Sequence, residues 1–156
     1  MTRDFRSALS CFATGVTVVT THQAQTDWGM TCNSFTSVSL SPQMVLWSIR
    51  KNANSHVAFT QGKGYTVNVL AAEQEALAHQ FATGTSSERF VGVDVQRLDS
   101  GRLKLTQALA WFDCNLVQII PAGDHDILLG EVNHFGWTER TPLLFAQSKF
   151  AKLAHA

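Results

Sequence analysis

The sequence predicts a mainly β protein: a small antiparallel β-barrel with a few short helices, folded as one domain over residues 1–156. Two observations lead to this fold class. Six or so short β-branched or alternating segments follow one another without the helices that alternate with strands in a parallel sheet. The length of 156 residues is that of one ordinary domain, and no linker, repeat or low-complexity stretch interrupts the chain.

Three short helices are expected from apolar spacing, helix-forming residues and capping residues. In the first helix, Phe5, Leu9 and Phe12 fall on one helical face. In the second, Asn52 or Asn54 is suited to cap the N-terminus. The third contains good helix formers throughout. The predicted ranges are 4–12, 52–59 and 73–82.

The predicted strands are β-branched runs or alternating segments bounded by glycine and proline. The two longest are joined by residues 121–125, a turn-forming connection. Residues 83–106 are rich in Gly, Ser and charge and are expected to form a surface excursion. After Thr141-Pro142 a final strand and a C-terminal helical turn are expected. The other strands are predicted at residues 16–21, 28–40, 44–49, 65–70, 108–119 and 126–137.

Charge and cysteine content argue against several function classes. Lys+Arg 12 balance Asp+Glu 12, so no overall field would attract nucleic acid or an anionic membrane. The first ten residues hold no apolar run long enough for a signal peptide or a membrane span. The charged fraction of 15% is low, which favours a surface covered in part by self-association. Cys11, Cys32 and Cys114 make no metal-ligand spacing with the histidines and are expected to be buried free thiols of a cytoplasmic protein.

The segment 30–40, MTCNSFTSVSL, contains the most informative polar pattern. Thr31, Asn33, Ser37 and Ser39 would share one face of a single strand. Such a row of hydroxyl and amide groups could hold the ribityl chain and ring carbonyls of a flavin. The pattern is more often that of an ordinary half-solvated antiparallel strand, so by itself it does not establish a flavin site.

A basic pair, Arg50-Lys51, stands directly before the predicted helix 52–59. The free N–H groups and positive dipole end of a helix N-terminus attract anions, and neighbouring cations strengthen that attraction. A flavin phosphate would fit there, whereas the alternative is a solvated basic pair at the end of a strand. The later triplet Gly123-Asp124-His125 offers a histidine in a turn, and most turn histidines are ordinary surface residues.

Several nucleotide and nucleophile motifs are absent from the sequence. No Gly-x-Gly-x-x-Gly opens a βαβ unit, because Gly62-Lys63-Gly64 precedes a strand and lacks a third glycine. The chain also contains no P-loop and no Gly-x-Ser-x-Gly nucleophile elbow. A nicotinamide nucleotide would therefore have to bind without a Rossmann domain.

Taken in order, these segments resemble the flavin reductase-like family, the reductase components of two-component flavin-dependent monooxygenases. The resemblance is collinear over nearly the whole chain, and its most specific part is GMTCNSFTSVSL followed much later by GDH. The matching segments are FATGVTVVTT (12–21), GMTCNSFTSVSLSP (29–42), RKNANSH (50–56), YTVNVL (65–70), ERF (88–90), AWFDC (110–114), GDHDILLGEV (123–132) and PLLF (142–145).

The resemblance implies a homodimeric split β-barrel that reduces FMN or FAD with NADH or NADPH and supplies reduced flavin to a partner monooxygenase. The residues it would place around the flavin ring are Thr31, Cys32, Asn33 and Ser34. Those along the ribityl chain are Ser37, Val38 and Ser39, and those at the phosphate end are Arg50, Lys51, Asn54 and Ser55. His125 would contact the nicotinamide nucleotide, and Phe90 would pack near the site. The two cofactors hold the hydride chemistry, so no protein acid or base is nominated.

One segment departs from the family pattern. Many relatives follow the PLL-aromatic segment with His-Arg-Gly-basic-aromatic, whereas this chain has Ala146-Gln147-Ser148-Lys149-Phe150 and so lacks the Arg and the Gly. The difference bears on the C-terminal contribution to dinucleotide binding and on the choice between NADH and NADPH. Two other functions fit the same barrel: a non-catalytic flavin-binding module, and an FMN oxidase of the pyridoxamine-phosphate type. The latter would need a second basic cluster for its substrate phosphate, and the sequence offers none beyond Arg50-Lys51.

Overall fold

The computed structural model describes residues 2–154, and within them a seven-stranded sheet forms the body of the fold. All the pairings recorded between these strands are antiparallel, so the predicted mainly β, antiparallel class is confirmed. The strands are β1 (Thr14–Gly15), β2 (Thr17–Gln23), β3 (Thr26–Cys32), β4 (Thr36–Leu40), β5 (Gln43–Arg50), β6 (Gly64–Val69), β7 (Val95–Arg97), β8 (Leu103–Leu105), β9 (Ala110–Ala122), β10 (His125–Trp137), β11 (Leu144–Ala146) and β12 (Lys149–Ala151). The helices are α1 (Thr2–Ser10), α2 (His56–Gln61), α3 (Glu75–Gln80) and α4 (Ser86–Arg89), with a 3₁₀ turn at Ala72–Gln74.

The large sheet has the strand order β3-β2-β6-β9-β10-β5-β4, and two smaller sheets, β1-β11-β12 and β7-β8, lie outside it. Its two edge strands are consecutive in the chain, because only residues 33–35 separate β3 from β4. Three residues span little distance even when fully extended, so the end of β3 and the start of β4 lie close together. This junction is also where the sequence predicted binding residues.

Both faces of β2 are buried, which explains why its sequence is a continuous β-branched run rather than an alternating one. Val19 joins one core, built around Trp47, Phe59 and Tyr65. Val18 on the opposite face joins a second core that includes Phe81 beneath α3. The sheet is therefore covered on both sides at β2, and α3 is held against its edge.

A buried polar cluster ties the chain segment before β8 to the sheet. Arg102 Nε lies 2.8 Å from Asp113 Oδ1, and the two side chains are only 6% and 3% exposed. Thr66 donates a hydrogen bond to the same carboxylate oxygen at 2.7 Å. Gly64 sits against the carbonyl of Cys114, where any Cβ would overlap backbone, so this position requires glycine. The buried Arg102–Asp113 ion pair therefore fixes the position at which the chain between β7 and β8 contacts the large sheet.

Two predicted elements near the site have different boundaries in the structure. Residues 28–40 are not one strand: β3 ends at Cys32 and β4 begins at Thr36, so the four polar residues expected on one strand face are divided between two strands. The predicted helix 52–59 is shorter and later, because α2 begins only at His56 and residues 51–55 form turns. The basic pair therefore does not lie directly at a helix N-terminus.

Three further expectations were also wrong in part. The surface excursion 83–106 contains α4, β7 and β8, and Leu103 and Leu105 are buried in the core. The C-terminal helical turn is instead strand β12, which pairs with β11 across a turn in which Gln147 and Ser148 both have positive φ. Of the three thiols expected to be buried, Cys114 is buried, Cys32 is partly buried and Cys11 is exposed.

The other predicted elements are found close to their predicted positions. The opening helix ends at Ser10 rather than residue 12, and the long β9–β10 hairpin is present with its turn at Gly123-Asp124. None of the helices described between residues 2 and 154 is both long and apolar enough to cross a membrane.

Candidate functional site

The basic pair and the histidine turn, about 75 residues apart in sequence, are direct neighbours in the sheet. Strands β5 and β10 pair so that Arg50 faces His125. The backbone N–H of Lys51 donates to the carbonyl of Asp124 at 2.9 Å. Gly123 has a φ of 63°, which lets the chain turn within two residues and brings His125 back beside β5. Pairing of these strands therefore joins two of the predicted motifs into one surface.

His125 has a fixed ring orientation because its Nδ1 lies 2.7 Å from Asp124 Oδ1. The hydrogen bond from His125 lowers the pKa of the Asp124 carboxyl, so the carboxylate is favoured as the acceptor of that bond. With Nδ1 engaged, Nε2 of the ring is left for another partner. The half-buried histidine and the exposed aspartate thus form a small oriented unit at the tip of the hairpin.

The end of β3 lines a cavity of about 240 Å³. Thr31, Cys32 and Asn33 form one side of it, and His79, with the aromatic rings of Phe145 and Phe150, lies around the rest. The Thr31 hydroxyl is already used, since it donates to the carbonyl of Ala78 at 2.6 Å and fixes α3 against β3. The exposed Asn33 carboxamide makes no hydrogen bond to any other described residue, so it is available to a ligand.

Two of the predicted site residues have structural roles at the β3–β4 junction. Ser34 Oγ donates to the carbonyl of Ser48 at 3.0 Å and accepts from its N–H at 2.9 Å, which anchors the junction to β5. Burial raises the pKa of the Cys32 thiol, and Thr17 donates to the Cys32 carbonyl. Cys32 is therefore held as a neutral thiol and is unsuited to act as a nucleophile.

The predicted ribityl residues do not share the cavity of Thr31 and Asn33. Ser37 and Ser39 instead line a second cavity of about 260 Å³, whose walls include Phe35 and Phe135. Val38, between them, is 47% exposed. A third cavity of about 440 Å³, around Arg97, Trp111 and His134, shares Phe135 with the second cavity and is lined by none of the predicted site residues. Within one protomer, the expected continuous polar wall is therefore divided.

The phosphate-end residues lie at the end of β5 and in the turns that follow. Arg50, Lys51 and Asn54 are exposed, and within residues 2–154 none of their side chains makes a hydrogen bond or ion pair. Ser55 is 5% exposed, occupies the N-cap position of α2 without capping it, and its hydroxyl lies 3.5 Å from Met30 Sδ on β3. The contact places this loop beside β3. Unpaired cationic and amide donors fit an anionic phosphate better than an apolar ligand.

Phe90 lies beneath β3 rather than in the cavity. Its ring packs edge-on against Phe81 with centroids 5.0 Å apart, and both rings approach Gly29 so closely that a Cβ there would meet them. Arg89 beside it donates to the Gly29 carbonyl at 2.9 Å. Phe90 thus supports the strand that presents Thr31 and Asn33.

Sequence reasoning missed two groups of residues at the site. His56 Nε2 lies 2.6 Å from Asp126 Oδ2, which ties α2 to β10 beside the histidine turn. His79, Phe145 and Phe150 complete the cavity at β3, although they come from distant parts of the chain. The family comparison at residues 146–150 was the one available signal, since it drew attention to Phe150 without showing what the ring contacts. Among the described residues no group of three or more His, Cys, Asp or Glu side chains could hold a metal ion.

The known proteins similar to this chain include proteins named as a flavin reductase and as the reductase component of a monooxygenase. An FMN reductase (NADH), SmoA, of Agrobacterium fabrum is 38% identical over 97% of this chain and 86% of its own length. The reductase component of a flavin-dependent trigonelline monooxygenase of Acinetobacter baylyi is 40% identical over 85% of this chain but only 43% of its own length.

Solved structures agree with these relatives. The NADH:FAD oxidoreductase SgcE6 of Streptomyces globisporus, in complex with NAD and FAD fragments, superposes with a TM-score of 0.94 at 37% identity. That match covers 99% of this chain and 93% of the other. The model of the flavin reductase like domain matches residues 9–154. Sequence, fold and site geometry thus lead to one conclusion: the chain belongs to the flavin reductase-like family.

Proposed function

We propose that this chain is an NAD(P)H:flavin oxidoreductase that reduces FMN or FAD. The single observation that supports this most is the meeting of β5 and β10, where His125 faces Arg50 beside the β3–β4 junction. That pairing joins the unpaired cations of Arg50 and Lys51 to the oriented imidazole of His125, and the Ser34–Ser48 bond ties the β3–β4 junction to the same strand β5. The named relatives, NADH-dependent FMN and FAD reductases, support the same activity.

The flavin side of the site is formed by β3, the β3–β4 junction and the loop after β5. Asn33 presents an unengaged carboxamide toward the ring, and the Ser34 bonds to Ser48 hold the junction in place. Arg50, Lys51 and Asn54 supply unpaired donors for a phosphate, and Ser55 fixes their loop against β3. Ser37 and Ser39 line a different cavity from Thr31 and Asn33. Ser37, Val38 and Ser39 therefore contact the ribityl chain only if the bound flavin extends from the cavity at β3 to the cavity at β4.

Bound flavin accepts a hydride at N5 from the nicotinamide C4, and that chemistry belongs to the two cofactors. The protein binds and orients them. His125, fixed by Asp124, is proposed to hold the dinucleotide, and backbone N–H groups near Asn33 are proposed to stabilise the negative charge that develops on the flavin ring. No protein side chain is assigned a proton transfer.

The proposal also covers the oligomeric state of the protein and the partner that receives the reduced flavin. A homodimer would cover the exposed apolar side chains, and closure of the seven-stranded sheet into a split barrel is supported by the three-residue link between its two edges. The relative named as a monooxygenase reductase component supports a partner oxygenase that receives reduced flavin. The cytoplasmic location stays a prediction from the sequence.

Steady-state oxidation of NADH and of NADPH, each with FMN, FAD and no flavin, tests the proposal. We expect nucleotide oxidation that requires added or bound flavin and exceeds the protein-free rate. If the protein binds flavin but never exceeds that background, it is a non-catalytic flavin-binding module. If it instead oxidises pyridoxamine phosphate, the oxidase alternative is correct.

A further inference from the structure

The loop at residues 51–55, between β5 and α2, carries side chains of the proposed phosphate site. Its own backbone bonds are those of tight turns: Ala53 donates to the carbonyl of Arg50, and His56 donates to the carbonyl of Ala53, each at 3.1 Å. The helix α2 that follows has only six residues, and a helix this short is not stable by itself. The direction in which the loop presents its side chains therefore depends on what holds its two ends.

Both ends of this loop are tied to the hairpin of β9 and β10, by bonds of different kinds. At its start the backbone N–H of Lys51 donates to the carbonyl of Asp124 at 2.9 Å. At its end the side chain of His56 makes the contact, because Nε2 lies 2.6 Å from Oδ2 of Asp126. The neighbouring Ser55 hydroxyl reaches only a thioether sulfur on β3, at 3.5 Å, and sulfur is a weak acceptor. The His56–Asp126 pair is therefore the strongest side-chain contact recorded at the end of the loop.

The His56–Asp126 pair is largely shielded from water, since its two side chains are 21% and 9% exposed. Hydrogen bonds to a carboxylate are stronger than those between neutral groups, and they are stronger still where water is excluded. Asp126 pairs across the sheet with Ile49, which is fully buried in the core. Successive side chains of a strand point to opposite faces, so Asp126 lies on the other face of β10 from His125. The pair thus lies behind the surface that carries His125, where it can hold the site without touching a ligand.

We propose that His56 is a positioning residue of the reductase, which through Asp126 holds the loop 51–55 and the histidine turn in one rigid arrangement. The inference rests on the proposed function and adds to it a residue outside the binding surface. A loop that is already ordered loses less conformational entropy when a ligand binds. Without His56 the loop would be ordered only when the flavin phosphate binds. The histidine turn, which is bonded to the same loop through Lys51, would lose part of its support as well.

The test compares His56→Leu with His56→Gln, which keeps a side-chain N–H of similar reach. We expect His56→Leu to weaken FMN binding by roughly three- to ten-fold and to raise the KM for NADH by roughly two- to five-fold, because order lost with a charge-assisted hydrogen bond must be regained on binding. Riboflavin has no phosphate to contact the loop, so its affinity should fall by less than about twofold, and kcat at saturation should hardly change. His56→Gln should recover most of both losses.

His22→Leu is the matched control, because His22 also pairs with an aspartate, Asp27, at 2.8 Å. That pair lies at the tip of the β2–β3 hairpin, at the other end of β3 from Cys32. His22→Leu should leave the flavin and nucleotide constants at their wild-type values. Asp126→Asn keeps an acceptor for His56 and removes its charge, so it should fold even if His56→Leu does not, and it should show the same pattern of losses at smaller size.

Three results for His56→Leu would overturn the inference while leaving wild-type reductase activity intact. Equal losses for FMN and riboflavin would mean that His56 contributes only to folding. Wild-type constants for all ligands would mean that the loop does not need this anchor, and a loss confined to the flavin or to the nucleotide would contradict one shared arrangement. A wild-type protein that neither binds FMN nor oxidises NADH with any flavin would instead remove the proposed function, and this inference with it.

Discussion

At the residue scale, the site consists of side chains whose polar atoms are already engaged and side chains whose polar atoms are free. The hydroxyls of Thr31 and Ser34 donate hydrogen bonds to the carbonyls of Ala78 and Ser48. These two residues therefore hold the shape of the site and are not free to bind a ligand through their hydroxyls. Asn33, Arg50 and Lys51 make no such bonds among the described residues. Substitutions of the residues with free polar atoms should therefore change ligand affinity, whereas substitutions of the hydrogen-bonded residues should change the stability of the fold.

Replacement of Arg50 and Lys51 together by alanine should weaken FMN binding by at least about tenfold. Charge-assisted hydrogen bonds contribute roughly 1.5–3 kcal/mol each, toward the lower end at exposed positions such as these. Riboflavin has no phosphate, so its affinity should hardly change. Calorimetric titration of both ligands checks this, with the exposed Lys152→Ala as the control variant. Equal losses for FMN and riboflavin would show that the pair does not bind phosphate.

His125→Ala should raise the KM for the nicotinamide nucleotide by about 2- to 10-fold, because a neutral hydrogen bond is worth roughly 0.5–1.5 kcal/mol. Flavin affinity should stay nearly unchanged. The comparison of kcat with KM separates lost ground-state binding from lost orientation in the transition state. His134→Ala, at the other end of β10, is the control. Identical kinetics in His125→Ala and wild type, with NADH and with NADPH, would make His125 an ordinary turn residue.

At the scale of elements, the β9–β10 hairpin, the segment around β8 and the β3–β4 junction show what a sequence pattern can and cannot predict. The two long strand segments and the turn-forming residues 121–125 between them predicted the β9–β10 hairpin correctly, because local turn chemistry determines such a structure. The burial of Leu103 and Leu105 was missed, since it depends on distant partners: Thr20 donates to the carbonyl of Leu103, and the N–H of Leu105 donates to Asn68. The break after Cys32 was missed for a similar reason: the junction is held by Ser48, which lies on another strand.

Some residues of the candidate site could likewise be predicted from the sequence, and others could not. Asn33, Arg50 and His125 could be nominated from the sequence because local motifs surround them. His79 and Phe150 meet only through the packing of α3 against β3 and the pairing of β11 with β12. Neither residue has a neighbouring motif that predicts the other. A C-terminal helical turn was expected where β12 provides the ring of Phe150.

Arg102→Met should lower the free energy of unfolding by about 3–5 kcal/mol, because it leaves the buried carboxylate of Asp113 without its cation. Arg97→Met removes the partner of the more exposed Asp27 and should cost no more than about 1 kcal/mol. Urea unfolding of the two variants checks the contrast. Similar losses in both would mean that burial does not control the strength of these pairs.

Asp27 joins the β2–β3 hairpin to β7 and should contribute to acid sensitivity. Burial raises its pKa, but hydrogen bonds from Arg97 and His22 outweigh this, so the pKa of Asp27 is lower than usual. A carboxyl with a lowered folded-state pKa stabilises the protein above its unfolded pKa, near 3.8, and this contribution is lost as the pH falls through the folded value. Asp27→Asn should therefore lower stability at pH 7 and make no difference at strongly acidic pH. Unfolding curves that differ from wild type by the same amount at both pH values would contradict the linkage.

At the scale of the whole molecule, several large apolar side chains of the protomer are exposed. Around the cavity of Ser37 and Ser39, Leu40 is 90% and Phe135 51% exposed. On α1 and just after it, Phe5 is 66% and Phe12 78% exposed. Large contiguous apolar patches of this kind mark interaction surfaces. The patch at Leu40 and Phe135 also adjoins the predicted ribityl residues, so a second copy bound there would complete the divided wall of the site.

We therefore expect the protein to be a homodimer through the Leu40–Phe135 patch, and a charge in that patch should separate the subunits. Burying a carboxylate at an apolar interface is costly unless it is paired, so Leu40→Glu and Phe135→Glu should each shift the sedimentation coefficient from dimer to monomer at micromolar concentration. Val91→Glu places the same charge at a residue that is 70% exposed and lies away from this patch, and it should remain dimeric. Because the two halves of the flavin wall would then belong to one continuous surface only in the dimer, the monomeric variants should also bind FMN more weakly than Val91→Glu does. A wild-type protein that sediments as a monomer while reducing flavin at its full rate would refute both the dimer and the completion of the site by a second copy.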